Sequence, residues 1–279
     1  MSKPRALNSD ITTADPSNPT TPPPPGTDAP SAEDAAGWVA EEAENPARPA
    51  LLCESCGYGL RGLRLAEVCP ECGLPISDSL PLHRTGPAWQ ARMTAGHWLE
   101  AARGVLGGPK RFFRGMRLDG PNLPARFFLL SIALIVGVGW GVFTAVGHDK
   151  PILLSWVVGM AAAKTVLIMT YIESLGVTFF SRRRGWRVPF RLAERLTCYA
   201  SVGWILAAVV LAVLSLVETS GVFEAWARKF LGRWNPEYRL LLGVVAFGAA
   251  VMGFELLVWT GVRQVRFSNV AVTKVDARP

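Results

Sequence analysis

Four stretches of this 279-residue chain, about 127–146, 151–180, 197–217 and 240–262, are almost wholly apolar. Each is near or above the ~20 residues a helix needs to cross a hydrocarbon core. In hydrocarbon no water is present to satisfy a backbone N–H or C=O, so a spanning segment must close its hydrogen bonds internally. The expected fold is therefore mostly α: a four-helix transmembrane bundle over 125–279, with everything else appended to it.

Arginine placement orients such a bundle. Arg114, Arg117 and Arg126 precede the first stretch. Arg182, Arg183, Arg184, Arg187, Arg191 and Arg195 fill the connection between the second and third, and Arg263 and Arg266 follow the fourth. The turn between the first two is only His148-Asp149-Lys150. Four crossings with both termini inside satisfy this pattern. The connection from Glu218 to Arg239 runs against it, with Arg228, Lys229, Arg233 and Arg239 placed outside. Its Phe223, Trp226, Phe230, Leu231 and Trp234 recur at near-helical spacing, as in an amphipathic helix on the outer surface.

Three ionisable residues, Lys164, Glu173 and Glu255, fall inside the spans, where charge is expensive unless paired or functional. At ~1.5 Å per residue, Lys164 lies ~20 Å and Glu255 ~23 Å from the outer start of their spans. The expectation is that Lys164 and Glu255 meet. Glu173 lies about half a turn around the helix from Lys164, near basic groups such as Arg182 or Arg263. A structural ion pair that fixes register outweighs a proton or solute relay, because no chain of further carboxylates or histidines accompanies it. Gly137-x-x-x-Gly141, Gly159-x-x-x-Ala163 and Ala249-x-x-x-Gly253 suit close helix contact, within the chain ahead of homo-oligomerisation. Cys198 reads as a buried small hydrophobe.

Ahead of the spans the character changes. Residues 1–48 are rich in Pro, Thr, Ala and acid, with Pro22 to Pro25 in a row; such a segment buries too little to offset its ordering entropy and reads as a disordered tail. Residues 1–50 carry a net charge of −5 and the remainder +12, positive charge gathered beside apolar segments as anionic headgroups require. Residues 81–124 mix Trp89, Met93, Trp98, Phe112 and Phe113 with Arg92, Arg103, Lys110 and Arg111, the pattern of amphipathic interfacial helices. Pro109 is placed to start one of them.

Between tail and interface, over 49–80, stand Cys53-x-x-Cys56 and Cys69-x-x-Cys72. Two such turns supply four thiolates to one tetrahedral ion. Gly57 and Gly73 follow the pairs where a tight turn needs positive φ. Gly57 to Val68 can fold back as a hairpin, with Leu63-Arg64-Leu65 alternating as a strand and Arg61 and Arg64 offsetting the thiolate charge. Disulfides would need an oxidising compartment, and the Met1-Ser-Lys-Pro start has no apolar signal region. A redox dithiol would need a βαβ context. Iron of the rubredoxin kind uses the same ligands; structural zinc fits the spacing and compartment. Four thiolates leave no open position for catalysis, and no Walker A, GxSxG or HExxH pattern occurs.

The sequence Cys53-Glu-Ser-Cys-Gly-Tyr-Gly-Leu-Arg-Gly-Leu with Cys69-Pro-Glu-Cys-Gly resembles the zinc ribbon at the cytoplasmic N-terminus of many bacterial multi-span membrane proteins. Pro109-Lys-Arg-Phe-Phe and Arg195-Leu-Thr-Cys-Tyr-Ala-Ser resemble segments of the Yip1-type family, whose usual five spans exceed the four counted here. These resemblances imply the bacterial inner membrane, cytoplasmic termini and no catalytic residues. The functional expectation is a non-enzymatic scaffold or adaptor binding a cytoplasmic protein through the ribbon. A small transporter or channel component using Lys164 and Glu255 is the alternative. Nucleic acid is disfavoured, because residues 51–80 carry Arg61 and Arg64 against Glu54, Glu67, Glu71 and Asp78.

Overall fold

A computed structural model describes residues 51–80, 84–147, 151–220 and 236–269. The tail 1–48, the turn 148–150 and most of the connection 218–239 lie outside the described residues. The helices are α1 (Ala88–Ala91), α2 (Ala95–Gly107), α3 (Pro109–Gly115), α4 (Leu123–Gly147), α5 (Ile152–Arg183), α6 (Phe190–Ala200), α7 (Gly203–Thr219) and α8 (Pro236–Val265). Among the described residues, three segments are long and apolar enough to cross a membrane: Leu123–Val146, Ile152–Arg183 and Phe190–Val217. The third is α6 and α7 read through the turn at Ser201 and Val202. Helix α8 runs through the fourth apolar stretch.

Most of the apolar surface of these helices faces outward: Val146 is 81 % and Leu153 79 % exposed, with Trp156, Val142, Leu134 and Phe180 also open. Water-soluble monomers do not carry contiguous apolar surface on this scale. What α5 buries against its neighbours is small, hydroxylated or valine. On α5 the buried positions Ser155, Gly159, Val166, Thr170, Ser174, Thr178 and Ser181 fall on one face, with half-buried Ala162 and Ala163 bridging Gly159 to Val166. The N-terminal half of this seam meets α4, where a Cβ on Gly159 would lie 2.5 Å from the Gly137 carbonyl oxygen. The two glycine motifs therefore interlock within the chain. The C-terminal half meets α6 and α7 through hydrogen bonds: Ser174 Oγ to Thr197 Oγ1 at 2.6 Å, and Trp204 Nε1 to Thr170 Oγ1 at 3.2 Å. Helix α7 packs on α8, with Trp204 stacked on Phe254 at 4.9 Å.

The segment 84–118 does not lie apart from the bundle. Pro109 opens α3 as expected, and Val105, Phe113 and Met116 are fully buried with Phe128, Leu196, Tyr199 and Val265 in one core at the end where α4 and α6 begin and α8 ends. Trp98 stacks on Phe128 at 5.5 Å, and Phe112 meets Tyr199 edge-on at 5.3 Å. The aromatics thus cap the bundle, while Met93, Leu99, Leu106, Arg103, Lys110 and Arg111 remain exposed.

Candidate metal centre and the polar end of the bundle

Each Cys-x-x-Cys pair closes a knuckle of the same design. The Gly57 N–H donates to the Cys53 carbonyl and the Gly73 N–H to the Cys69 carbonyl, both at 2.8 Å. The glycines adopt φ of 83° and 72°, the left-handed conformation that reverses the chain without a Cβ clash. Cys53 N–H then bonds to Tyr58 O, and Cys69 N–H to Leu74 O. Among the described residues there is no strand ladder, only the isolated bridges Leu52–Gly59 and Val68–Pro75. The expected strand at Leu63-Arg64-Leu65 is absent: the chain there is irregular and turning. Each knuckle satisfies its backbone locally, so no long hairpin is needed to bring the pairs together.

The four sulfurs lie within 4.8 Å of one another. Cys53 Sγ is 3.5 Å from Cys72 Sγ, and Cys56 Sγ is 3.6 Å from Cys69 Sγ. Four thiolates at ~2.3 Å from one zinc ion stand ~3.8 Å apart, so the donor set and its spacing fit that ion. Bound there, zinc would supply folding energy to a lobe whose own core is little more than Cys53, Leu60, Cys69 and Ile76. The thiols are unequal. The Leu74 N–H draws Cys72 down to about 7, while burial pushes Cys56 up to about 12 and also raises Cys53. Arg61 and Arg64, expected to offset the thiolate charge, are exposed.

The first knuckle is fastened to the bundle. Asn269, just past α8, accepts from Leu52 N–H at 3.0 Å and donates to Leu52 O and Ser79 O, each at 2.8 Å. Arg266 donates to Ser55 O at 3.1 Å. Buried Arg84 pairs with Glu54 at 2.6 Å and also bonds Phe113 O and Gln264 O. Burial pushes the Glu54 carboxyl up, and the Arg84 guanidinium opposes that shift. Gly57 sits against the Phe267 ring with no room for a Cβ. The second knuckle faces away, with Val68 56 % exposed and Glu67, Pro70, Glu71 and Cys72 open.

The intramembrane charges are arranged otherwise than expected. Among the described residues no ion pair joins Lys164 to Glu255, and Lys164 is exposed on the outer face of α5. Glu255 instead faces Glu173, carboxyl to carboxyl within hydrogen-bonding reach. Glu173 therefore does not pair with Arg182 or Arg263. Counted from the C-terminal ends of α5 and α8, both carboxyls lie about ten residues in, ~15 Å along the helix. Nearby, Trp186 and Trp259 lie 6.1 Å apart with the Arg184 guanidinium over both rings, the make-up of a membrane–water boundary.

A polar cluster that arginine counting did not resolve joins the starts of α4 and α6. Glu194 accepts from Arg126 Nε at 2.8 Å and from Asn122 Nδ2 at 2.7 Å. Arg195 meets the other side of the same Asn122 amide, bonding Asn122 Oδ1 and the carbonyls of Arg117, Asp119 and Gly120 at 2.6–2.9 Å. The available signal was a Glu-Arg pair set against an apolar stretch. Cys198 is buried, as expected.

A four-cysteine group suited to a metal ion, beside helices that fit membrane spans, defines a membrane protein with a small metal-binding lobe. Set against known proteins, the chain matches no family model, no curated protein and no solved structure.

Proposed function

We propose that this is a membrane adaptor of the bacterial inner membrane, crossing it four times with α8 as the fourth span and both termini in the cytoplasm. Its zinc ribbon presents a contact surface to a cytoplasmic protein. One observation carries the reading: the first knuckle is spent on the bundle through Asn269, Arg266 and Arg84, whereas the second is open around Val68 and Glu71. A lobe held rigidly at one side and bare at the other suits a docking platform better than a catalytic or nucleic-acid site. Support for the orientation comes from Arg126, Arg182, Arg183, Arg184, Arg263 and Arg266, which lie at the ends of α4, α5 and α8 nearest the ribbon. The Yip1-type likeness of the spans adds no activity to this reading.

The test is crosslinking from membranes followed by purification, comparing the wild type with Val68→Asp. The variant should keep its metal and lose a cytoplasmic protein that the wild type retains. The same captured proteins from both would refute the docking role.

A second reading, a small transporter or channel component, draws on the facing Glu173 and Glu255 carboxyls. Against it, the groove of about 200 Å³ between α4 and α5 is lined by apolar groups such as Val138, Trp156 and Met160, with Ser155 as its polar member. Lys164 does not line it.

A further inference from the structure

Arg195 is 3 % exposed, yet among the described residues no carboxylate stands within ion-pairing distance of it. Glu194 is committed to Arg126, and Asp119 lies 4.0 Å from Arg117. All four hydrogen bonds of the guanidinium go to carbonyl oxygens, three of the backbone and one of Asn122. Carbonyl dipoles orient a buried cation but do not neutralise it, and an unneutralised buried charge is costly. One of its five N–H groups, on Nη2, is left over.

One turn further along α6, Tyr199 is fully buried and its hydroxyl has no well-formed hydrogen bond, although the Gln90 side chain comes close enough to interact with it. Buried hydroxyls without partners are rare and ask for an explanation. Gln90 stands beside it: its Oε1 accepts from Arg117 N–H at 3.0 Å, while its Nε2 reaches Arg117 O only at 3.5 Å. All of these groups line one hollow of about 50 Å³, closed inside by Tyr199, Arg195 and Ala125, with exposed Arg117, Asp119, Gly120 and Pro121 at its mouth. That is several times the volume one water requires.

The geometry points to a phosphate-binding site. Arg195 and Arg117 against Asp119 leave one positive charge, which a phosphodiester monoanion balances. The spare hydrogens of Arg195 Nη2, Tyr199 Oη and Gln90 Nε2 would serve its oxygens. The hollow lies where α4 and α6 begin, at the level of the proposed inner headgroup layer, so a lipid phosphate is the near source and free phosphate the other. The lipid source rests on the membrane orientation proposed above; the phosphate chemistry does not.

The full chain in detergent is titrated with short-chain phosphatidylcholine, with diacylglycerol of the same chains, and with inorganic phosphate, read by native mass spectrometry. Phosphatidylcholine carries a phosphodiester but no net charge, so the general basic surface is not what it reports. It should bind while diacylglycerol does not, and Tyr199→Phe should weaken it about tenfold, as expected for losing a hydrogen bond to a charged group. Arg117→Gln, at the exposed mouth, should weaken it comparably without disturbing the bonds that Arg195 makes to the loop. Competition by millimolar inorganic phosphate would assign the hollow to the free ion and keep the phosphate chemistry; no competition would assign it to lipid. Equal binding of diacylglycerol, or unchanged affinity in both variants, would overturn the site.

Discussion

The side-chain amide of Asn269 pairs with both the N–H and the C=O of Leu52, 217 residues earlier in the chain. It does for the cysteine lobe what a neighbouring strand would do, and it joins the residue next to Cys53 to the end of α8. Docking and metal binding should therefore stabilise each other. Asn269→Ala removes three hydrogen bonds, each worth about 1 kcal/mol net. By reciprocity it should weaken metal affinity by roughly tenfold or more. Competition with a chromogenic chelator measures this, and removing the metal should in turn raise amide exchange at Leu52 and Ser268. Unchanged affinity in the variant would show the lobe to be independent of the bundle.

The thiols give the metal site a pH dependence of definite sign. In the metal-free lobe Cys56, pushed up to about 12, is protonated at neutral pH, as is Cys53, which is also raised, while Cys72, drawn down to about 7, is half ionised. Zinc takes thiolates, so binding releases protons and affinity falls as pH falls. Below pH 7 the proton on Cys72 must also be displaced, and the slope steepens. Affinity measured from pH 8 to pH 6 should drop by more than about tenfold per unit, because more than one proton leaves. A flat profile would contradict the thiolate set.

Glycine position separates packing from helix propensity. A Cβ on Gly159 would strike the Gly137 carbonyl, whereas one on Gly253 meets nothing within 4 Å. Ala is the better helix former by about 0.5–1 kcal/mol. Gly253→Ala should thus be neutral or mildly stabilising in thermal unfolding in detergent. Gly159→Ala should lower the midpoint, its overpacking costing about 1–3 kcal/mol. Equal effects at the two sites would remove the α4–α5 contact from the account.

What could be read in advance followed from local chemistry. The knuckles were legible because Cys-x-x-Cys-Gly fixes its own turn, and Gly57 and Gly73 have the positive φ that spacing demanded. Pro109 opens α3, and the apolar stretches lie in long helices, because hydrocarbon permits little else. The fastening of the ribbon was not legible. Asn269 lies beyond every periodic segment, and no local pattern marks a partner so distant in sequence. Arg195 entered only as a charge to be counted and Glu194 not at all, though both meet the Asn122 amide and tie α6 to the start of α4. The strand at Leu63-Arg64-Leu65 failed because three residues of alternation say nothing about a missing ladder partner.

The failed pairing of Lys164 with Glu255 has a geometric cause, and it yields the last test. Depth was measured from the outer ends of the spans, but α8 begins at Pro236, one turn before the apolar stretch, which sets Glu255 deeper than Lys164 and level with Glu173. Rise per residue also fixes height and not direction, which packing decides. A hydrogen bond between two carboxyls needs one proton between them, and an amide can take the place of the protonated partner. Glu255→Gln should therefore be tolerated, holding the unfolding midpoint in detergent near that of the wild type. Glu255→Leu leaves Glu173 without its partner and should cost about 1–3 kcal/mol. Lys164→Met, on the outer face, should change little. If Lys164→Met proved the most damaging of the three and Glu255→Gln rescued it, the original pairing would stand and the carboxyl contact would fall.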